Sequence, residues 1–232
     1  MASPKVFETN ARKTGGVWNY VSNSTSDPVY RGLRTNLPKE IMGYRELPWL
    51  EAQDGGSFVT HRDVARYLES YRDSFRLGRY IHHGHSVRQL TVLSDQPSAL
   101  SPDTETWPKI RLSWTVSETD QQQDQQHGHE HGKQQLTSTG EEDSNVQSDV
   151  FDAVLICNGH YAKASSPRIP GLDQYFQGKV MHSIEYDDPA MFQSETVLCI
   201  GARASGADLT REIMEHADYV YLSDSTCPPL VD

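Results

Sequence analysis

The chain has 232 residues, 36% hydrophobic and 23% charged, enough for one domain or two small ones with a buried core. A formal net charge of −11 argues against a nucleic-acid or anionic-membrane binder, since both need a positive surface. The widely spaced Cys157, Cys199 and Cys227 suit a reducing compartment, and neither a signal-like leader nor an apolar run of about 20 residues is found, so a cytoplasmic location without a transmembrane segment is the default expectation.

In chain order, residues 5–8 (KVFE) read as the end of a short strand with Glu8 at its tip. Gly15 and Gly16 turn the chain into Val17-Trp18-Asn19-Tyr20, a polar stretch runs to Leu37, and Pro38–Met42 reads as a helical turn. Residues 61–77 carry Val64, Tyr67, Leu68, Tyr71 and Phe75 at helical spacing, with the acid Asp63 near the start. Residues 79–92 are strand-like, and 110–116 (IRLSWTV) alternate with period two, which predicts a strand. The Gln-, His- and acid-rich run over 118–149 has almost no apolar surface to offset its ordering entropy, so it is expected to be a disordered insert. Its His127, His129 and His131 are too loosely embedded for a specific metal site, and none is expected. Val150–Cys157 follows as a near-continuous apolar run and predicts a buried strand at 151–157. After the Pro-rich link at 166–171, residues 196–223 read as strand, glycine turn, helix at about 206–216, and strand at 218–223.

The turn between that strand and helix, Gly201-Ala202-Arg203-Ala204-Ser205-Gly206, stands where a dinucleotide fingerprint stands. Gly201 would make the tight turn, Gly206 would let helix and strand approach, and the helix N-terminus, with Ser205, would face a pyrophosphate. Arg203 replaces the middle glycine; its bulk crowds a phosphate and its charge attracts one. Asp224 ends the second strand of the unit, where an acid bonds a ribose 2′-hydroxyl and repels a 2′-phosphate. An ordinary glycine turn and an ordinary loop aspartate are the plain alternatives.

The segment Phe176-Gln177-Gly178-Lys179-Val180-Met181-His182-Ser183-Ile184-Glu185-Tyr186 adds a second pattern, F-x-G-x-x-x-H-S-x-x-Y, just ahead of the glycine turn. It resembles the signature of the flavin-containing monooxygenases and their Baeyer–Villiger relatives. Glu8 with Gly15-Gly16-Val17-Trp18 is similar to that family's ribose-binding acid and G-G-x-W stretch, Thr35–Glu40 to its T-N-x-P-K-E segment, and Asn158-Gly159-His160 to its interdomain turn. Ser183 and Tyr186 look closer to the N- or S-oxidising branch.

The resemblance implies an α/β, Rossmann-like flavoprotein fold with two dinucleotide-binding domains. It would divide into a partial FAD domain at 1–165, carrying the insert, and a partial NADPH domain at 166–232. It further implies FAD and NADPH as cofactors, O₂ and a small nucleophile as substrates, and Asn36 beside the flavin as the catalytic residue. Glu8, Gly16 and Trp18 would contact FAD; Gly201, Ser205, Gly206 and Asp224 would contact the nicotinamide nucleotide. Phe176, Gly178, His182, Ser183 and Tyr186 form the signature; His182, which taken alone reads as a general base or as a buried hydrogen-bonded histidine, is by the resemblance part of the linker that orients the domains. The family's NADP(H) outweighs the hint of NAD(H) from Asp224. One departure stands out: the sequence has no G-x-G-x-x-G for the FAD pyrophosphate. An incomplete fold, truncated at both ends and with impaired or no activity, is therefore expected, with a non-catalytic dinucleotide-binding remnant or interaction protein as the alternative.

Overall fold

The computed structural model describes residues 4–25, 27–49, 55–93, 107–117, 145–161 and 163–224. They divide into two compact units, the first made of 1–16 and 69–158 and the second of 17–68 and 159–232. This division runs differently from the expected boundary at 165/166, which concerned where each cofactor is held.

In the first unit, β1 (Val6–Phe7) pairs in parallel with β2 (Ile81–His82). β3 (His85–Leu93), β4 (Lys109–Val116) and β5 (Val146–Phe151) form an antiparallel meander in that order. The period-two pattern of β4 sends Leu112, Trp114 and Val116 to one face, where they form the buried core with Phe7, Ile110, Phe151 and Val154 packed around them. The Phe7 ring lies 4.6 Å from Trp114 and meets Phe151 edge-on at 6.0 Å.

The structure departs from the sequence expectation at two places. The strand predicted at 151–157 lies at 146–151, and Leu155 and Ile156 are 86% and 73% exposed. An apolar run shows a demand for burial, but a strand needs a ladder partner. Here β4 pairs with the more polar 146–151, and 152–157 joins no strand among the described residues. For the same reason 146–149, expected as part of the disordered insert, is strand: backbone pairing with β4 does not depend on the polarity of Gln147 or Ser148. Lys5 bridges to Asp149 at 2.8 Å, and Asn145 Nδ2 donates to the Val116 carbonyl at 2.7 Å, which fix this edge. Residues 118–144 lie outside the described residues.

The second unit contains α1 (Lys39–Met42), α3 (Leu172–Tyr175), β6 (Thr196–Ile200), α4 (Ala204–Ile213) and β7 (Tyr219–Ser223). β6 and β7 are parallel and joined through α4, the β-α-β unit read from the sequence, although α4 begins two residues earlier and ends three earlier than expected. α2 (His61–Ser74) contributes its first eight residues to this unit and the rest to the other. Thr60 and Asp63 cap it reciprocally: Asp63 Oδ2 accepts from the Thr60 amide at 3.1 Å, and Thr60 Oγ1 accepts from the Asp63 amide at 3.3 Å. The buried face of α2, Val64 and Tyr67, packs on Val59 and on Trp49, whose ring stacks on Tyr67 at 4.4 Å. A second core joins Tyr30, Tyr186, Leu209 and Ile213 and holds α4 against the 181–186 segment.

Candidate active site

A cleft of about 400 Å³ opens within the second unit, between the 28–36 segment, residues 160–161 and 163–165, residues 182–184 and the first turns of α4. The backbone of β6 leads straight to it. Gly201 ends the strand at φ +100°, in the left-handed region where a side chain is strained. Its N–H donates to the Ser223 carbonyl at 2.8 Å, so the end of β7 and the partly buried Asp224 lie beside the turn. A Cβ on Gly206 would sit 1.7 Å from the Gly201 carbonyl oxygen, so only glycine lets α4 approach the turn this closely. Arg203, at the middle position, has φ −76°, which any residue adopts. Of the three fingerprint positions, 201 and 206 therefore require glycine and 203 does not. Arg203 is the N-cap of α4 and makes no side-chain cap, leaving the first amides of this ten-residue helix open at Ala204 and Ser205, which line the cleft.

The opposite wall carries Asn36. Its segment is pinned by three hydrogen bonds: Thr35 N–H to the Val59 carbonyl at 2.9 Å, Val59 N–H to Thr35 Oγ1 at 3.1 Å, and Arg34 to the Phe58 carbonyl at 2.9 Å. The Asn36 side chain is exposed and bonds to no other described residue, so its amide is available to a ligand. Arg34 and Lys163 add positive charge to the lining, and Trp18 adds an aromatic surface.

His182 also borders the cleft, and its ring is engaged. Nδ1 accepts from the Ile184 amide at 3.1 Å while the His182 N–H donates to Glu185 Oε1 at 2.9 Å, a capping box on the 3-10 turn Ser183–Glu185. That geometry makes the His182 ring a cap on this turn. Tyr186, 4% exposed, donates its hydroxyl to Glu212 Oε2 at 2.7 Å, joining the signature segment to α4. Burial, then the hydrogen bond and charge of Glu212, raise the Tyr186 pKa far above the ordinary tyrosine value, so it is a structural donor and never a base.

The cleft thus brings together Trp18, Asn36, His182, Ser183 and Ser205, with Gly201, Gly206 and Tyr186 supporting it. Phe176 and Gly178 are exposed and do not line it; the Phe176 ring folds over Gly178, where a Cβ would meet it at 2.5 Å. Glu8 and Gly16 belong to the first unit. Glu8 Oε1 accepts from the Asn10 amide at 2.8 Å, and Gly16 has φ +53° with open space within 4 Å of where a Cβ would stand. Sequence reasoning missed Tyr30, Lys163 and Asp208 in the lining and Glu212 behind it. The i,i+4 spacing of Asp208 and Glu212 on α4 was the one available signal, and it reads equally well as a solvated helix face.

Among the described residues no helix is long and apolar enough to cross a membrane, and no cluster of three metal-ligating side chains occurs. His127, His129 and His131 lie outside them.

A glycine turn opening a helix between parallel strands, beside a cleft lined by the first residues of that helix, is the arrangement of a Rossmann-like α/β fold. The family model for FMO-like, flavin-binding monooxygenase-like proteins matches residues 2–107 and 104–230. The chain belongs to that family, a group of oxidoreductases whose cofactors are FAD and NADPH. It is 31% identical over 242 residues to flavin-containing monooxygenase FMO GS-OX5 of Arabidopsis thaliana, covering 96% of this chain and 44% of the relative. The fold matches the S-allyl-L-cysteine S-oxygenase of Allium sativum with a TM-score of 0.69 at 27% identity, over 98% of this chain and 48% of that one. It also matches Tmm from a Pelagibacter strain with a TM-score of 0.71 at 18% identity, over 98% and 46%. The chain spans about half the length of the relatives it matches.

Proposed function

We propose that the chain holds the nicotinamide nucleotide of an NADPH- and FAD-dependent monooxygenase that oxygenates a small sulfur- or nitrogen-containing nucleophile. The observation that carries this reading is the cleft at the α4 N-terminus, lined by Asn36 and Ser205 and next in sequence to a turn that requires glycine at 201 and 206. The residues present fit a dinucleotide: open helix amides for the pyrophosphate, Arg34 and Lys163 for its charge, and the Asn36 amide for the reactive end. When bound, NADPH supplies hydride to FAD, and the reduced flavin activates O₂. The protein's own part is to bind, orient and exclude water, with His182 and Tyr186 fixing the linker rather than moving protons. The S-oxygenase among the similar structures supports sulfur as the acceptor atom.

For FAD the fit is partial. Glu8 keeps one carboxylate oxygen unspent, which suits a ribose hydroxyl, with Gly16 and Trp18 nearby in sequence. No G-x-G-x-x-G occurs in the 232 residues to cradle its pyrophosphate, and unpaired phosphate charge is costly to bury. These residues expressed by themselves should bind FAD weakly and turn over little. The same observation supports the second reading, a non-catalytic nucleotide-binding protein. A flavin absorbance spectrum and NADPH-driven oxygen uptake on the purified chain separate the two. Stoichiometric flavin with turnover would establish the enzyme and show that another segment holds the phosphates. Titration with NADPH and NADH tests the cofactor: tighter NADPH is expected, and a preference for NADH would make Asp224 the deciding residue.

A further inference from the structure

Two buried tyrosines share the core behind the cleft, and they differ in one respect. Tyr186 donates its hydroxyl to Glu212 at 2.7 Å. Tyr30 is 7% exposed and lines the cleft, yet its hydroxyl has no hydrogen-bond partner among the described residues. The ring is buried, but the oxygen is not among the buried unsatisfied atoms of the described residues, so it reaches the cleft surface, where it can donate to a bound acceptor. Its ring is not free to move. Tyr186 meets it edge-on at 5.2 Å and 77°, and Leu209 and Ile213 close the pocket around it. Leu209 lies four residues beyond Ser205 on α4, so Tyr30 packs against the helix face that presents Ser205 and its open amide to the cleft.

We infer that Tyr30 is a binding residue of this cleft, its hydroxyl donating to a phosphate oxygen of the nicotinamide nucleotide, and that Tyr186 is the positioning residue that holds it there. The inference rests on the nucleotide reading given above. Burial first, then the neighbouring Glu212 and Asp208 carboxylates, push the Tyr30 pKa well above the ordinary phenol value, with Arg211 opposing. Tyr30 therefore remains a neutral donor at any working pH. It can recognise an acceptor oxygen, and it cannot serve as a base. The signature tyrosine at 186 gains a function by the same geometry: its bond to Glu212 fixes the ring that fixes Tyr30.

The test is calorimetric titration of the 232-residue chain and its Tyr30→Phe variant with NADP⁺ and with ADP, which carries a pyrophosphate and no nicotinamide, alongside the melting temperature of each protein. Tyr30→Phe keeps the packing and removes only the donor. It should weaken both ligands about fivefold, the effect of one lost hydrogen bond, at an unchanged melting temperature. Unchanged affinity overturns the inference. A weaker affinity that comes with a fall in melting temperature assigns Tyr30 to packing alone and overturns it too. A loss seen with NADP⁺ but not with ADP overturns the phosphate assignment. A wild-type chain that binds neither ligand overturns the nucleotide reading itself, a result no comparison between variants could produce.

Discussion

The two units are held together by different kinds of interaction. In the first, backbone ladders and an aromatic core around Trp114 support strands whose side chains are often polar, as in β5. In the second, the backbone itself dictates residues: Gly201 for its φ, Gly206 for contact with a carbonyl oxygen, Thr35 and Arg34 for bonds that pin the cleft wall. Residues of the first kind can be exchanged as long as their volume is kept, whereas those of the second kind cannot. Motifs are therefore concentrated in the second unit, and the first is recognised mainly by its periodicity.

The largest expected effect falls on the first unit. Trp114 is 6% exposed and contacts Phe7 at 4.6 Å, so Trp114→Ala should cost about 3–5 kcal/mol. Chemical denaturation measures it, and a cost near zero would mean that this aromatic cluster is not the core of the unit. A deletion pair sharpens the same point. Removing 118–144 should leave the melting temperature close to wild type, because β4 and β5 are kept; removing 118–149 takes most of β5 and the Lys5–Asp149 bridge and should lower it strongly. Equal effects from the two deletions would show that β5 contributes nothing.

In the second unit, Gly206→Ala must push α4 away from the Gly201 carbonyl. It should cost about 1–3 kcal/mol and abolish NADP⁺ binding, read by melting and titration. Native stability with native binding would show that the close approach is not required. The smallest effect is one of pH. His61 is 3% exposed, its ring 4.8 Å from that of Tyr20, and its Nδ1 has no partner among the described residues. Burial first, then Arg62, lower its pKa below 6.5; a backbone hydrogen bond at Arg31, Asp63 and Asp187 oppose this. The unfolded chain therefore binds the proton more readily. The stabilisation from a neutral His61 is full above about pH 6.5 and is lost as pH falls from there through the folded value. His61→Gln should flatten the stability profile below that pH, and an unchanged slope would assign it to other groups.

Legibility followed the same division. The β6-α4-β7 unit, the amphipathic α2 and the alternating β4 were readable because each follows from a local period or from a glycine at a fixed place. Of the site, Asn36, Ser205, His182 and Ser183 were found from motifs, and the structure places them on one cleft. Tyr30 carried no signal, since a tyrosine in an irregular polar stretch looks the same whether it points to solvent or into a core. Asp187 was equally silent, although it accepts from Tyr20 Oη at 2.7 Å and ties the segment around Tyr20 to the signature stretch 167 residues away.

By itself, then, the sequence determined the family, the β-α-β unit and the residues whose identity the backbone demands, because steric rules on φ and on close approach act within a few residues. Tertiary structure decided which apolar run became a strand, which histidine became a cap and which tyrosine kept its hydroxyl open. Those outcomes depend on partners far along the chain. The apolar run at 154–156 could find a ladder only where β4 offered one, and β4 paired with 146–151 instead.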